Sequence, residues 1–482
     1  MLNTTKKTKI VCTLGPASDT YERFSQLVDA GMNVMRLNFA HGDYPTHAAK
    51  IELSRRYERE HGVYIPVMTD MKGPEIRTGN FENGQVVIER GSLVRVCMKE
   101  VLGNASQFSV NYSNLYNDVN VGDHLKIDDG NLDLTIIEKD EAKRELVVRA
   151  ENTHLLKNHK GVNAPFARLQ MPYISAKDEA DLKFSCENDV DLIATSFTRR
   201  PQDIIDVKKI LAKYGRPDIG IIAKIENPEG VDHLEAILEL ADGIMIARGD
   251  LGVEIPPEKV PLVQKRITHL CRVKGKPVIT ATQMLDSMQT HPRPTRAEVS
   301  DVANAILEST DSVMLSAESA SGEYPIEATE MQAKIAATME AELNYEQMAD
   351  EAYKTSEKIN SDAIANSVAN TALLIGAKLI VCFTETGESA KRIAKARPCA
   401  PVIAVSNSRR TVLRLGLVWG LFPTLIPSIP QFIEELEVLA LLKARQLGLK
   451  PGEHIILTGG TPTGAGKTNF MKILMINELR DI

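Results

Sequence analysis

Short apolar runs, rich in β-branched residues, recur through the first two-thirds of the chain and alternate with longer stretches of helical period. The runs are KIVCTL (9–14), MNVMRLN (32–38), IPVMTD (65–70), DLIATSF (191–197), IGIIAKI (219–225), GIMIA (243–247), PVITAT (277–282) and SVMLSAE (312–318). Runs this short with few polar positions predict strands buried on both faces, and the stretches between them predict helices. Helical patterns fall at 20–30, 45–60, 202–214, 229–240, 259–273 and 296–308. Thr295 and Glu298 form a capping-box signature that marks the start of the last of these. Eight strand–helix units predict an α/β fold built on a (β/α)8 TIM barrel.

The alternation breaks between the third and fourth runs. Residues 73–170 are strand-rich, with turn signals at Asn83-Gly84, Asp129-Gly130 and Asp140-Glu141. This segment predicts an inserted small β-barrel domain, hinged near Gly73-Pro74 and near Pro165–Pro172, placed as a lid on the barrel. From about residue 345 the alternation resumes, with strands expected at 379–383, 402–405, 422–426, 454–457 and 470–475. That pattern predicts a doubly wound C-terminal α/β domain. The expected division is 1–72 with 171–344 (barrel), 73–170 (lid) and 345–482 (C-terminal domain).

Composition adds limits to this picture. At 482 residues the chain has room for about three domains of ordinary size. A net charge of −7 argues against general attraction to nucleic acid or membranes. No apolar run has the length of a membrane span, and the N-terminal segment lacks a signal-peptide pattern. Six scattered cysteines without a C-x-x-C pair fit a reducing, cytoplasmic setting.

The chemistry collects where the strands end, which in such barrels is the active face. In order these ends carry Arg36 and Asn38, Asp70, Ser196, Lys224 and Glu226, Asp250, Thr282, then Ser316 and Glu318. Lys224 and Glu226 are two apart in an extended run, so their side chains leave the same face. Glu226 and Asp250 supply hard oxygen ligands suited to Mg2+ or Mn2+. Lys224 is suited to a transferring phosphoryl group, an enolate or a Schiff base, and neighbouring carboxylates favour its charged form over the last. ARGDLG (247–252) opens a short helix whose N–H groups, including that of Gly249, face an incoming anion.

These stretches resemble the pyruvate kinase family, of bacterial type. The resemblance rests on TKIVCTLGPAS (8–18), MNVMRLNFAHG (32–42), DMKGPEIRTG (70–79), KGVNAP (160–165), KIENPEG (224–230), ARGDLGVEIP (247–256), GKPVITATQMLDSM (275–288) and PRPTRAEVSDVANA (292–305). It implies phosphoryl transfer from phosphoenolpyruvate to ADP, giving pyruvate and ATP in glycolysis. Carried over, Glu226 and Asp250 hold the divalent metal, and Lys224, Gly249, Asp250 and Thr282 bind substrate. Lys224 neutralises the phosphoryl group and enolate, Arg36 contacts the phosphoryl group, and Thr282 lies where the methyl carbon is protonated. Arg77, Lys160 and Asn38 contact the nucleotide. A homotetramer is the family's habit.

The family's monovalent-cation site would use Asn38, Asp70 and the carbonyl of Met71. Its usual serine hydroxyl is replaced here by Ala40, so a K+ site is short of one oxygen. Phe166 stands where a glycine is common and is expected to alter the lid hinge. In the C-terminal domain, Thr384, Thr386, Gly387 and Ser389 form an anion cradle at a helix start, which the resemblance assigns to a phosphorylated small-molecule effector. Lys467 is its expected cation, in a loop that misses the first glycine of a Walker A pattern. Trp419 is expected in the core or at an interface and not as a stacking platform. Two other readings remain open here: a metal-dependent pyruvate-enolate lyase, which leaves Arg77 and Lys160 without a use, and a non-catalytic regulatory homologue.

Overall fold

The computed structural model describes residues 4–165, 167–461 and 468–477. Eight parallel strands close into a barrel: Lys9–Thr13, Val34–Asn38, Val67–Met71, Leu192–Thr195, Gly220–Ile225, Gly243–Ala247, Val278–Ala281 and Ser312–Leu315. Closure comes from the first strand pairing with the eighth, Lys9 opposite Ser312. Val11, Val34, Met68, Ile222, Met245 and Met314 fill the interior, so the barrel is a packed core and not a pore. Helices cover its outside, which is why the strands read as unbroken apolar runs.

Several helices differ from their sequence pattern for identifiable reasons. The 229–240 stretch is two helices, Pro228–Asp232 and Leu234–Leu240, joined at His233, whose ring nitrogen bonds the carbonyls of Arg199 and Glu229. Helices at Ala176–Glu187 and Pro325–Ala341 have no clear apolar stripe in the sequence. The first buries Asp178, Asp181 and Ser185, and the second buries Thr329, Gln332 and Glu340, so polar residues occupy their inner faces. Asp178 then does two jobs: it closes the capping box with Ser175 and accepts the Gly73 N–H where the chain leaves the barrel for the insertion.

Between the third and fourth barrel strands lies the strand-rich insertion. Seven of its strands form one sheet, and Phe81, Phe108, Leu125, Leu134 and Leu146 belong to its own core. The two edges of that sheet, Ile76–Arg77 and Gln107–Ser109, are drawn together by a bridge from Thr78 to Val110. One helical turn, Leu115–Asp118, interrupts the β structure.

The last sheet has five strands, in spatial order Leu421–Leu425, Val402–Ser406, Leu379–Phe383, His454–Gly460 and Thr468–Met475. Four are parallel, and the fifth runs antiparallel to the fourth because too few residues separate them for a parallel crossover. Trp419 is buried, with the Arg397 guanidinium 4.7 Å from its ring. Arg409, Arg410 and Arg414, from the helix Arg409–Leu415, reach the barrel acids Glu58, Asp218 and Asp242. Among the described residues no helix is long and apolar enough to cross a membrane.

Candidate active site

The strand ends converge as their order predicts. Asp70 sits at the centre of a buried network. Its Oδ2 accepts Arg36 Nε at 2.8 Å, and its Oδ1 accepts Ser196 Oγ at 3.0 Å and Lys224 Nζ at 3.2 Å. Arg36 also donates to Thr13 Oγ1 at 2.8 Å, and Lys224 to Ser196 Oγ at 2.7 Å. On the other side Lys224 Nζ lies 2.9 Å from Glu226 Oε1. Ser196 therefore belongs to the site as a support that orients both Asp70 and Lys224.

Burial opposes the charge on Lys224, but Asp70 and Glu226 outweigh it and hold the proton well above the ordinary lysine range. That favours the ammonium over the neutral amine a Schiff base needs at neutral pH. Burial also works against the Asp70 carboxylate, yet Lys224 and Arg36 bring it below its usual value. Glu226 goes the other way. Burial raises it, Lys224 only partly opposes that, and Asp250 adds repulsion.

Glu226 is fully buried, and its Oε2 accepts the Phe197 N–H at 2.5 Å. Its Oε1 is ion-paired with the Lys224 ammonium and has no other partner among the described residues. A buried carboxylate with a single cationic partner, next to a second carboxylate of raised affinity for protons, is a donor set that fits a hard divalent cation. Among the described residues no three acidic, histidine or cysteine side chains are placed to hold one metal ion together, so such an ion would complete its shell with substrate oxygens and water.

Asp250 and Gly249 lie in the helix Arg248–Glu254, which starts directly after the sixth strand. The Gly249 N–H, expected from the sequence to be an anion donor, is already engaged by Thr282 Oγ1 at 2.7 Å. Thr282 and Gln283 both have left-handed backbones, with φ of 68° and 54°. A β-branched residue in that region is strained and needs its surroundings to hold it there. Arg248 holds it: the guanidinium donates to Thr282 O at 2.8 Å and is fixed by Asp301. Neither Arg248 nor Asp301 stands out in the sequence, although both lie inside the quoted motifs. Their contact spans 53 positions and is visible only in three dimensions.

Facing this group is a cleft of about 220 Å3 between barrel and insertion, lined by Arg77, Lys160, Asp128, Asp129, Asp250 and Glu254 among others. Arg77 is held by Glu75 and Lys160 by Asp128, each at 2.7 Å. Glu254 spans the two units, accepting Asn163 Nδ2 at 2.7 Å, and burial pushes its carboxyl up to about 7. At the junction with the insertion, Gly73 has φ of 70°, and a Cβ there would meet the Ser196 carbonyl at 2.7 Å, so the position demands glycine. The junction thus packs directly on Ser196, which bonds Lys224.

On the opposite wall, Asn38 Oδ1 accepts the Ala40 N–H at 3.1 Å, and Met71 is buried in the third strand. In the C-terminal sheet, Thr384 Oγ1 accepts the Gly387 N–H at 3.0 Å, and Ser389 and Thr468 share a hydroxyl contact at the start of the helix Glu388–Lys395. Thr386 is exposed beside them. Lys467 and Phe166 lie outside the described residues.

Two family profiles match the chain: "Pyruvate kinase, barrel domain" over residues 5–329 and "Pyruvate kinase, alpha/beta domain" over residues 362–474. The pyruvate kinases of Bacillus licheniformis and Geobacillus stearothermophilus are each 46% identical over 475 residues, covering 98% of this chain and 81% of theirs. A crystal structure of a pyruvate kinase from Cryptosporidium parvum superposes with a TM-score of 0.92 at 35% identity, covering 98% of this chain and 97% of the other.

Proposed function

The chain belongs to the pyruvate kinase family and transfers the phosphoryl group of phosphoenolpyruvate to ADP; on that premise we propose how its own residues divide the work. Pyruvate kinases generally use a divalent cation and K+. Here Glu226 and Asp250 are the residues that would hold Mg2+ or Mn2+, which when bound polarises the substrate's oxygens. The observation that carries this is the fully buried Glu226 carboxylate, with Asp250 beside it and Lys224 as the one partner of its Oε1 among the described residues.

Lys224 and Arg36 face the substrate phosphoryl group and neutralise it. The bond between phosphorus and the enol oxygen breaks as a bond to the ADP terminal phosphate oxygen forms. Lys224 then stabilises the enolate, and a proton taken up on the Thr282 side converts its methylene carbon to methyl. Arg77 and Lys160 leave Glu75 and Asp128 to hold the nucleotide phosphates at the cleft mouth. The work is positioning and charge neutralisation, as phosphoryl transfer requires. The division into a barrel (1–72 with 171–344), a lid (73–170) and a C-terminal domain (345–482) brings both substrates to one hinge.

The monovalent site is short of a ligand. Asn38, Asp70 and the Met71 carbonyl supply its oxygens, and Ala40 supplies none. Pyruvate formation from phosphoenolpyruvate, ADP and Mg2+ is expected both with K+ and with tetramethylammonium in its place, with a much smaller potassium stimulation than a serine-containing relative shows. Absence of turnover in both media would overturn the residue assignment. A full potassium requirement would overturn the reading of Ala40.

The cradle of Thr384, Thr386, Gly387 and Ser389 takes the phosphate of a small effector, and the assembly is a homotetramer. AMP and sugar phosphates are expected to raise the thermal midpoint of the native chain. Ser389→Ala should abolish that rise without changing basal turnover, and a rise that survives the substitution would place the effector elsewhere.

A further inference from the structure

Thr282 keeps a backbone conformation that is strained for a β-branched residue and persists only where the surroundings over-determine it. The constraint is traceable to one side chain. Arg248 Nη2 donates to Thr282 O at 2.8 Å and lies 2.9 Å from Met284 Sδ, while Nε donates to Ala281 O at 3.3 Å. The rest of the guanidinium faces Asp301, with Nη1 and Nη2 each 2.6 Å from a carboxylate oxygen. Asp301 belongs to the helix Arg296–Leu307, which follows the seventh strand and is anchored by the Thr295–Glu298 capping box. One planar fork therefore spans a carboxylate on one side and the turn at 281–284 on the other.

Arg248 is also the residue directly before Gly249 and Asp250. The Gly249 N–H closes the ring by donating to Thr282 Oγ1 at 2.7 Å. We propose that Arg248, clamped by Asp301, is a positioning residue that locks the Thr282 hydroxyl to the Gly249–Asp250 segment, so that the proton-delivery side and the metal side of the enolate are aligned as one unit. Arg248 does not line the cleft and acts through Thr282. Lysine cannot replace it, because a single ammonium cannot span a bidentate carboxylate and two carbonyls at once. This inference rests on the placement of Thr282 at the protonated face, and its test separates the two.

Arg248→Lys, Asp301→Asn, the double variant and Thr282→Ala are compared with the native protein. Steady-state kinetics are measured, along with deuterium uptake from D2O into the methyl group of pyruvate with ATP and Mg2+. Because an ångström of misplacement costs about 100-fold, Arg248→Lys and Asp301→Asn are each expected to lower kcat and methyl exchange together by about that factor. KM for ADP should stay within about threefold, and the double variant should be little worse than either single one, since the pair acts as a unit. If Arg248→Lys fails to fold, the isosteric Asp301→Asn decides the outcome. Exchange and kcat within about threefold of native in Asp301→Asn would overturn the inference, as would a loss confined to KM for ADP. If Thr282→Ala loses exchange while the clamp variants keep it, the positioning role is wrong and the Thr282 assignment stands. If Thr282→Ala keeps exchange, the assignment itself is wrong.

Discussion

Lys224→Met is expected to lower kcat by about 1,000-fold, the upper range for removing one preorganised charge from a water-excluded site. The buried ammonium lies within reach of two carboxylates and Ser196, so it is fixed in place before substrate arrives. Its charge meets negative charge that grows on the phosphoryl and enolate oxygens. Methionine matches the length of the chain but offers neither charge nor donor. The substitution should also weaken the fold. Glu226 loses its only nearby cation among its described partners, and Asp70 keeps Arg36 but not Lys224. Breaking a buried pair from one side costs about 3–5 kcal/mol. A lower thermal midpoint should therefore accompany the lost activity, and substrate-saturated kinetics at 10 °C would separate the two. Retention of kcat within tenfold of native at that temperature would refute the assigned role.

Glu226→Gln is expected to combine lost activity with a cost to the fold that shrinks as pH rises. Removing a metal carboxylate forfeits several kcal/mol of transition-state stabilisation, on the order of 1,000-fold at saturating Mg2+. The fold is a different matter. Burial raises the Glu226 carboxyl above its unfolded value, so between those two values the native state binds more protons than the unfolded state. The contribution to stability then falls as pH rises through that window. Glutamine removes this dependence while its carbonyl oxygen still accepts the Phe197 N–H. The thermal midpoint of Glu226→Gln relative to native is expected to climb between pH 5 and pH 8 in metal-free buffer. The measurement is a pair of melting series with Mg2+ activation curves alongside. A relative midpoint that falls over this range, or activation by Mg2+ as in the native protein, would count against the assignment.

The distinction between these two variants comes from geometry that no local pattern reveals. Lys224 and Glu226 were legible as charges leaving one face at the end of an apolar run. That Glu226 Oε1 meets Lys224 while Oε2 takes the Phe197 N–H depends on the left-handed turn after the fourth strand, where Phe197 has φ of 52°. The helix Ala176–Glu187 escaped the pattern because its inner face carries Asp178, which accepts the Gly73 N–H, and Asp181, whose Oδ1 takes Tyr44 and Lys177. The split at His233 and the antiparallel last strand were likewise settled by contacts and loop length and not by periodicity.

The sequence by itself determined the alternation of buried strands and covering helices, the interruption between the third and fourth strands, and the charges placed at the strand ends. Those features are local: they follow from side-chain periodicity and from turn and cap chemistry over a few residues. Only the tertiary structure decided which charges meet. Barrel closure brings Asp70 from the third strand to Lys224 on the fifth, and it sets Arg248, Asp301 and Thr282 into one clamp. Such pairings depend on register and on the docking of helices far apart in the chain. The physics of hydrogen bonding and burial can act on them only once those surfaces are in contact.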